Sequence, residues 1–235
     1  MPTHSLSLIL PAFNEGQNLS AAVEDAISAL SHLASELEIL IVDDGSSDTT
    51  AEVGDRLAAR HPVVRVIRHP VNRGYGAALR TGFAAARCDL VFFTDSDGQF
   101  RFDQVGEFMA QIDAVDMVLG YRADRQDRWL RKANSRFGNW LARTLLGVQV
   151  RDINCAYKMF HRASLQQLPL TSEGAMINTE LLALAAHAGW TFHEIAVAHY
   201  PRKFGAATGA KFQVIVRTVV EYFQLRRRVA ALPRS

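Results

Sequence analysis

The sequence predicts an α/β fold, a Rossmann-like, doubly wound and mostly parallel sheet. Two observations carry this. Between residues 6 and 120, short apolar runs alternate with segments of helical periodicity, as repeated β-α units do. Three of those runs end in polar, mostly acidic loops, and open α/β sheets bind ligands at such strand ends.

In order, Leu6-Ser7-Leu8-Ile9-Leu10 reads as a strand ended by Pro11, and a polar turn through Asn18 leads to a helix over 19–37. A second strand covers 38–42 and stops at Asp43-Asp44-Gly45-Ser46; a helix follows to about Arg60. Pro62 opens a third strand, 63–68, and after the loop Asn72-Arg73-Gly74-Tyr75-Gly76 comes a helix over 77–86. The fourth strand starts at Leu90 and breaks off at Asp95-Ser96-Asp97-Gly98-Gln99. A helix over 103–114 and a strand over 116–120 complete the alternation. Beyond Tyr121 the pattern changes to long amphipathic helical stretches with one extended segment near 191–197. No repeat or linker interrupts the chain. It reads as one fused domain over 1–235, with a first half to 120, a second over 121–210 and a basic helix from 211.

Composition narrows the function classes. With 49% hydrophobic and 21% charged residues, the 235-residue chain is ordinary globular protein, and a net charge of +2 does not suggest a nucleic-acid binder. The charge is unevenly placed. Lys211, Arg217, Arg226, Arg227, Arg228 and Arg234 face Glu221 alone, so the last 25 residues carry +5 on a body of −3. That predicts contact with an anionic surface. Two cysteines, Cys88 and Cys155, make no framework, and a reduced cytoplasmic setting is the default expectation. No leader is expected at Met1, and no apolar run approaches the ~20 residues needed to span a bilayer.

The loop after the fourth strand carries the most chemistry. Asp95 and Asp97 at i, i+2, with the Gln99 amide, offer hard oxygen ligands of the kind Mg²⁺ or Mn²⁺ takes together with substrate phosphates. Alone the pair is only a polar turn. With Asn14-Glu15 and Asp43-Asp44 converging on the same edge, it becomes an acidic site that needs a counter-charge. Other readings fail. Gly74-Tyr75-Gly76 lacks the third glycine of a dinucleotide fingerprint and follows the wrong strand. The segment 95–106 is no EF-hand, because Phe100 and Gly106 occupy its sixth and twelfth positions.

Taken together, Pro11-Ala12-Phe13-Asn14-Glu15, Asp43-Asp44-Gly45-Ser46-Ser47-Asp48, Asn72-Arg73-Gly74-Tyr75-Gly76, Asp95-Ser96-Asp97-Gly98-Gln99 and Gly120-Tyr121-Arg122 resemble the successive signatures of family 2 glycosyltransferases. Within that family they resemble the polyprenyl-phosphate sugar transferases of the dolichyl-phosphate mannose synthase type. The resemblance covers roughly residues 5–210. It implies a GT-A fold with acceptor-side helices, a nucleotide-sugar donor (GDP-mannose or a UDP-sugar), inversion at the anomeric carbon and a divalent metal. By position it implies that Pro11, Phe13 and Glu15 hold base and ribose, with Asp43 or Asp44 beside them. Asp95 would face nucleotide and sugar, and Asp97 and Gln99 would ligate the metal. Arg122 and Arg136 would hold the acceptor phosphate, and Arg202 would sit on a loop closing over the donor.

Two departures stand out. The family often reads Gly-Glu-Ser-Lys after that last arginine, whereas Thr208 stands at the lysine position here; Lys203 or Lys211 is the expected substitute. Several relatives continue into transmembrane helices. This sequence instead offers an amphipathic helix over 211–228, with Phe212, Ile215, Val216, Val219, Val220 and Phe223 on one face. It suits either packing on the core or peripheral membrane binding.

Two chemistries stay open. A phosphate acceptor is already largely dianionic near neutral pH and needs cations rather than a base. A sugar hydroxyl would need a carboxylate base, for which Glu180 is the candidate, unless it only structures a helix N-terminus. A binding-only nucleotide-sugar module is the alternative outside catalysis.

Overall fold

The computed structural model describes residues 3–123, 140, 142–201 and 212–232, with the side chains of 212–219 not described. Among the described residues, seven strands form one sheet in the order β3-β2-β1-β4-β6-β5-β7. They are β1 Leu6–Ala12, β2 Leu37–Asp43, β3 Val64–Arg68, β4 Leu90–Thr94, β5 Met117–Arg122, β6 Tyr157–His161 and β7 Phe192–Val197. Among the described residues the helices with defined bounds are α1 Gly16–Leu30, α2 Thr50–Arg60, α3 Tyr75–Ala85, α4 Val105–Gln111, α5 Arg162–Leu165, α6 Ile177–His187 and α7 Phe212–Ala230, and residues 140 and 142–146 are helical as well.

Strands β1, β2 and β4 are buried at every position and read as continuous apolar runs, as strands covered on both faces must. Parallel pairing of β1 with β2 sets Ala12 against Asp43, and pairing with β4 sets Ile9 against Phe93. Strand β6 runs antiparallel to both β4 and β5, which leaves β5 and β7 parallel to the first four. Every strand except β6 therefore ends on the same edge of the sheet. Aromatic contacts lock β4 to β6: Phe92 meets Tyr157 edge-on at 4.6 Å, and Phe93 stacks on Phe160 at 6.0 Å. One set of buried side chains runs from Leu6 to Val229.

The structure departs from the sequence reading in four places. First, β1 continues through Pro11 to Ala12. The ladder to β4 stops at Ile9, so the absent Pro11 N–H removes no bond there, and the Pro11 carbonyl accepts from Ser96 Oγ at 2.8 Å instead. Second, α1 ends at Leu30 rather than near Leu37. Leu33 and Leu37 extend the helical spacing, but Leu33 packs from a turn and Leu37 opens β2. Third, the acceptor half is not purely helical before residue 191, because β6 lies inside it. Fourth, the 103–114 helix is shorter: α4 begins at Val105 and tightens into a 3₁₀ turn over Ile112–Ala114.

Helix α6 is buried at every position from Ile177 to Ala185, so it is an internal helix against which α7 packs. The α7 residues that meet the core are Tyr222, Leu225 and Val229. Val220 and Phe223 are about half exposed, with Arg226 and Arg227 also on the open side. Among the described residues no helix is long and apolar enough to cross a membrane.

Candidate active site

The three acidic loops meet where the sequence places them, at the carboxyl ends of β1, β2 and β4. Phe13 stands 46% exposed at the rim. The next residue, Asn14, has φ of 56°. Its side-chain oxygen accepts from Ser47 N at 2.9 Å, and its own N–H donates to Ser46 Oγ at 3.0 Å. Glu15 N donates to Thr50 Oγ1 at 2.8 Å, so the β1 and β2 loops are stitched together. The Glu15 carboxylate accepts from Asn18 at 2.7 Å.

Asp43 and Asp44 are both buried and already engaged. Asp43 accepts from Ser46 N at 3.0 Å and lies 3.8 Å from the Arg68 guanidinium. Asp44 is the more committed. It accepts from Arg73 N at 2.9 Å and Gly74 N at 2.7 Å, and it pairs with His69 Nδ1 at 2.6 Å. Asp44 thus clamps the 72–74 loop from below. Gly74 has φ of +100°, and a Cβ there would come within 2.4 Å of the Glu173 carbonyl. Gly76 is as tight, because its N–H donates to that carbonyl at 2.7 Å. These two glycines let the start of α3 dock on 172–174; packing, not phosphate, explains them.

Asp95 follows β4 directly and is part-buried; Asp97 is 7% exposed. Asp97 Oδ1 accepts from Gln99 N at 3.0 Å. Gln99 donates its side-chain amide to the Tyr200 carbonyl at 3.1 Å, and its own carbonyl accepts from Tyr200 N at 2.8 Å. The chain leaving β7 is thereby fastened to the acidic loop. Burial, and then the neighbouring Asp97 charge, push the Asp95 carboxyl up to about 7; Tyr75, Lys158 and Arg122 oppose them.

Arg122 ends β5 on the same edge. Its Nε lies 2.7 Å and its Nη2 3.0 Å from the two oxygens of Asp152. The fork through which arginine grips a phosphate bidentately is therefore occupied by Asp152, a partner the sequence reading did not find. Arg136, Arg202, Lys203, Thr208 and Lys211 lie outside the described residues.

Sequence reasoning also missed Lys158. It sits in the middle of β6 with no exposure, its ammonium bound by the carbonyls of Ile153 (3.0 Å) and Cys155 and by Asn178 Oδ1 at 3.1 Å. Burial lowers its pKa to about 8. The available signal was a lysine inside the apolar run Ala156-Tyr157-Lys158-Met159-Phe160.

Glu180 does not face the sheet edge chemistry as a free base. Fully buried, it accepts from Thr171 N at 2.8 Å, Thr171 Oγ1 at 3.0 Å and Ser172 N at 2.7 Å, and it pairs with Arg228 of α7. Burial would raise its pKa, but these bonds pull it below the ordinary carboxylate value. It ties α6, α7 and the 171–172 segment together.

Among the described residues no group of three His, Cys, Asp or Glu side chains is arranged to hold a metal alone. Asp95, Asp97 and the Gln99 amide oxygen still fit a hard cation that takes its other ligands from a diphosphate and water.

An acidic edge of this kind on this sheet defines a glycosyltransferase fold, and the chain belongs to glycosyl transferase family 2, which it matches over residues 7–169. It is 32% identical over 203 residues to undecaprenyl-phosphate 4-deoxy-4-formamido-L-arabinose transferase of Edwardsiella ictaluri, covering 85% of this chain and 61% of that one. It is 28% identical over 236 residues to polyprenol monophosphomannose synthase of Mycolicibacterium smegmatis, covering 94% and 88%. The chain spans about three fifths of the length of the first curated relatives it matches. The fold is similar to that of glucosyl-3-phosphoglycerate synthase from Mycobacterium tuberculosis, solved with Mn²⁺, UDP-glucose and phosphoglyceric acid. The TM-score is 0.67 at 21% identity, over 99% of this chain and 82% of that one.

Proposed function

We propose that this protein is an inverting glycosyltransferase that moves a sugar from a nucleotide-sugar to a polyprenyl phosphate. One observation carries the reading: Asp95 and Asp97 at the end of β4 share a sheet edge with Arg122 at the end of β5, so donor-side carboxylates and an acceptor-side cation lie on one surface. Relatives named as polyprenyl-phosphate sugar transferases support it.

In this reading Pro11, Phe13 and Glu15 form the nucleotide wall. The exposed Phe13 ring offers a stacking face, and Asp43 has fewer protein partners than Asp44 for a base or ribose contact. Asp95 orients the sugar, and Asp97 and Gln99 hold a divalent ion, Mg²⁺ or Mn²⁺. That ion would take charge on the leaving diphosphate. Carboxylates alone would repel the donor, which is why the site asks for one. Arg122, held by Asp152, places the acceptor phosphate in line with the anomeric carbon; Arg136 and Arg202 add cations on the acceptor and donor sides. No protein base is required, because the phosphate oxygen is itself the nucleophile. Attack from the face opposite the leaving group inverts the configuration.

A sugar-hydroxyl acceptor is the weaker reading, since Glu180 is enclosed and fully hydrogen-bonded. The open side of α7, with Val220, Phe223, Arg226 and Arg227, suits an anionic bilayer in which such an acceptor resides. In this reading the protein works peripherally, on the cytoplasmic face of the membrane.

The test is a thermal-shift screen of GDP- and UDP-sugars with Mn²⁺, followed by transfer from the stabilising donor to a short polyprenyl phosphate. A binding ligand raises the melting temperature by mass action. Donor stabilisation without transfer to any acceptor would leave only a binding module.

A further inference from the structure

A fully buried lysine in the middle of a sheet calls for a reason, because burying an ammonium is costly and an apolar side chain would suit the position. Lys158 is such a residue. It has no exposure, and in register it lies between Phe93 of β4 and Leu119 of β5. Enclosed in this way, it does not touch substrate. Its three protons meet three acceptors: the carbonyl of Ile153 at 3.0 Å, that of Cys155, and Asn178 Oδ1 at 3.1 Å.

Those bonds hold the turn that carries Asp152. Ile153 and Cys155 are buried, and they precede the ladder of β6, which starts at Tyr157. Buried carbonyls need donors, and Lys158 reaches back from the strand to supply both. Inside the turn, Cys155 N donates to the Asp152 carbonyl at 3.3 Å. Asn178 fastens the ammonium to α6. On the other flank of Asp152, Arg151 N donates to Glu194 Oε1 at 2.7 Å, and the Arg151 guanidinium lies 4.5 Å from the centre of the Tyr121 ring. The Asp152 backbone is thus fixed from both sides, and its carboxylate is the group that grips Arg122.

We propose that Lys158 is a positioning residue for Arg122: by binding the Ile153 and Cys155 carbonyls it fixes the Asp152 turn, and through Asp152 it aims the arginine that receives the acceptor phosphate. This rests on the glycosyltransferase reading above. No covalent step is involved. Control runs from the interior outward, so Lys158 holds the turn whether or not Asp152 is paired with Arg122. A lysine that served stability alone would not act selectively on the acceptor side.

Lys158→Met keeps an unbranched side chain but removes the three donors. It should lower the melting temperature, as any loss of buried bonds does, so melting alone does not separate the two roles. The kinetics of the folded variant do. KM for a short polyprenyl phosphate should rise about tenfold, while affinity for GDP or UDP with Mn²⁺, read by calorimetry, should stay within about threefold of wild type. Asp152→Asn should raise the acceptor KM similarly, and the double variant should lose little more. Hydrogen exchange reads the direction of control and needs no folded Lys158 variant. In Asp152→Asn the Cys155 amide should exchange within about threefold of the wild-type rate, because Lys158 still holds the turn. An acceptor KM within about twofold of wild type in either single variant overturns the proposal, as does a nucleotide affinity that falls in step with acceptor use. So does a Cys155 amide that exchanges more than about tenfold faster in Asp152→Asn, since Arg122 would then be holding the turn. If the wild-type chain transfers no sugar, the function reading fails, and the exchange experiment still decides the clamp.

Discussion

Asp152 holds Arg122 in a two-point grip, Nε at 2.7 Å and Nη2 at 3.0 Å, with both side chains largely enclosed. An arginine so fixed presents its charge at the end of β5 without searching rotamers. Its aim is set before any phosphate arrives, and Asp152 offsets part of its charge.

The first prediction follows from that pair. Arg122→Ala should reduce transfer to polyprenyl phosphate more than donor hydrolysis, because the nucleophile loses its positioning cation. It should also remove the two-point partner of the Asp152 carboxylate and lower stability in chemical denaturation. Equal losses in the two assays would place Arg122 on the donor side.

Asp97→Asn should abolish most divalent-dependent nucleotide binding while leaving the fold intact. Calorimetric titration with and without Mn²⁺ reads this directly. Metal-dependent affinity equal to wild type would remove Asp97 from the ligand set.

Asp95 gives a pH-dependent stability test. Its carboxyl moves from an ordinary 3.8 to about 7 on folding. Across that window the unfolded chain releases the proton first, so stability falls as pH rises and the loss is complete above pH 7. The isosteric Asp95→Asn should therefore change the melting temperature little at about pH 4 and raise it at about pH 8, by the equivalent of about 2–4 kcal/mol. A difference that does not vary with pH would mean that Asp95 is ionised freely in the folded protein.

Glu180→Gln should behave as a stability variant. The amide keeps the shape but weakens the bonds from Thr171, Ser172 and Arg228, so the melting temperature should fall while kcat per folded molecule holds. A well-folded variant with no transfer would revive Glu180 as a base and a sugar hydroxyl as acceptor.

The surface role of α7 is best tested without truncation, since Tyr222, Leu225 and Val229 belong to the core. Arg226→Glu with Arg227→Glu should weaken sedimentation with anionic vesicles, each basic residue contributing about 1 kcal/mol, in a salt-sensitive way. Phe223→Ser should remove a salt-resistant part. Unchanged vesicle binding in the folded triple variant would leave α7 as a packing helix only.

Much of this was readable from residue types. The alternation of strand and helix to residue 120 was legible because both faces of β1, β2 and β4 are buried, which leaves unbroken apolar runs. The meeting of Asp43-Asp44 and Asp95-Ser96-Asp97 at one edge followed from parallel strands. Strand β6 was not legible, because Lys158 interrupts its apolar character; only tertiary carbonyls and Asn178 make a buried ammonium tolerable there. Asp152 was hidden because it matters through Arg122, a partner 30 residues away in sequence. The loop-clamping role of Asp44 was not legible either, because its partners, Arg73 and Gly74, lie 29 and 30 residues away.

The antiparallel β6 also imposes an order of assembly. It is wedged between β4 and β5, yet its residues 157–161 are synthesised after both. While the chain emerges, β3, β2, β1 and β4 can pair as a block, but β4 keeps an unpaired hydrogen-bonding edge lined by Leu90, Val91, Phe92 and Phe93. An open apolar edge invites intermolecular strand addition. Insertion of the Lys158 strand closes that edge and joins β5 and β7 to the block, so the last strand to enter the middle of the sheet also carries the buried cation behind the acidic loop. Newborn chains interrupted before residue 161 should accordingly be the aggregation-prone ones.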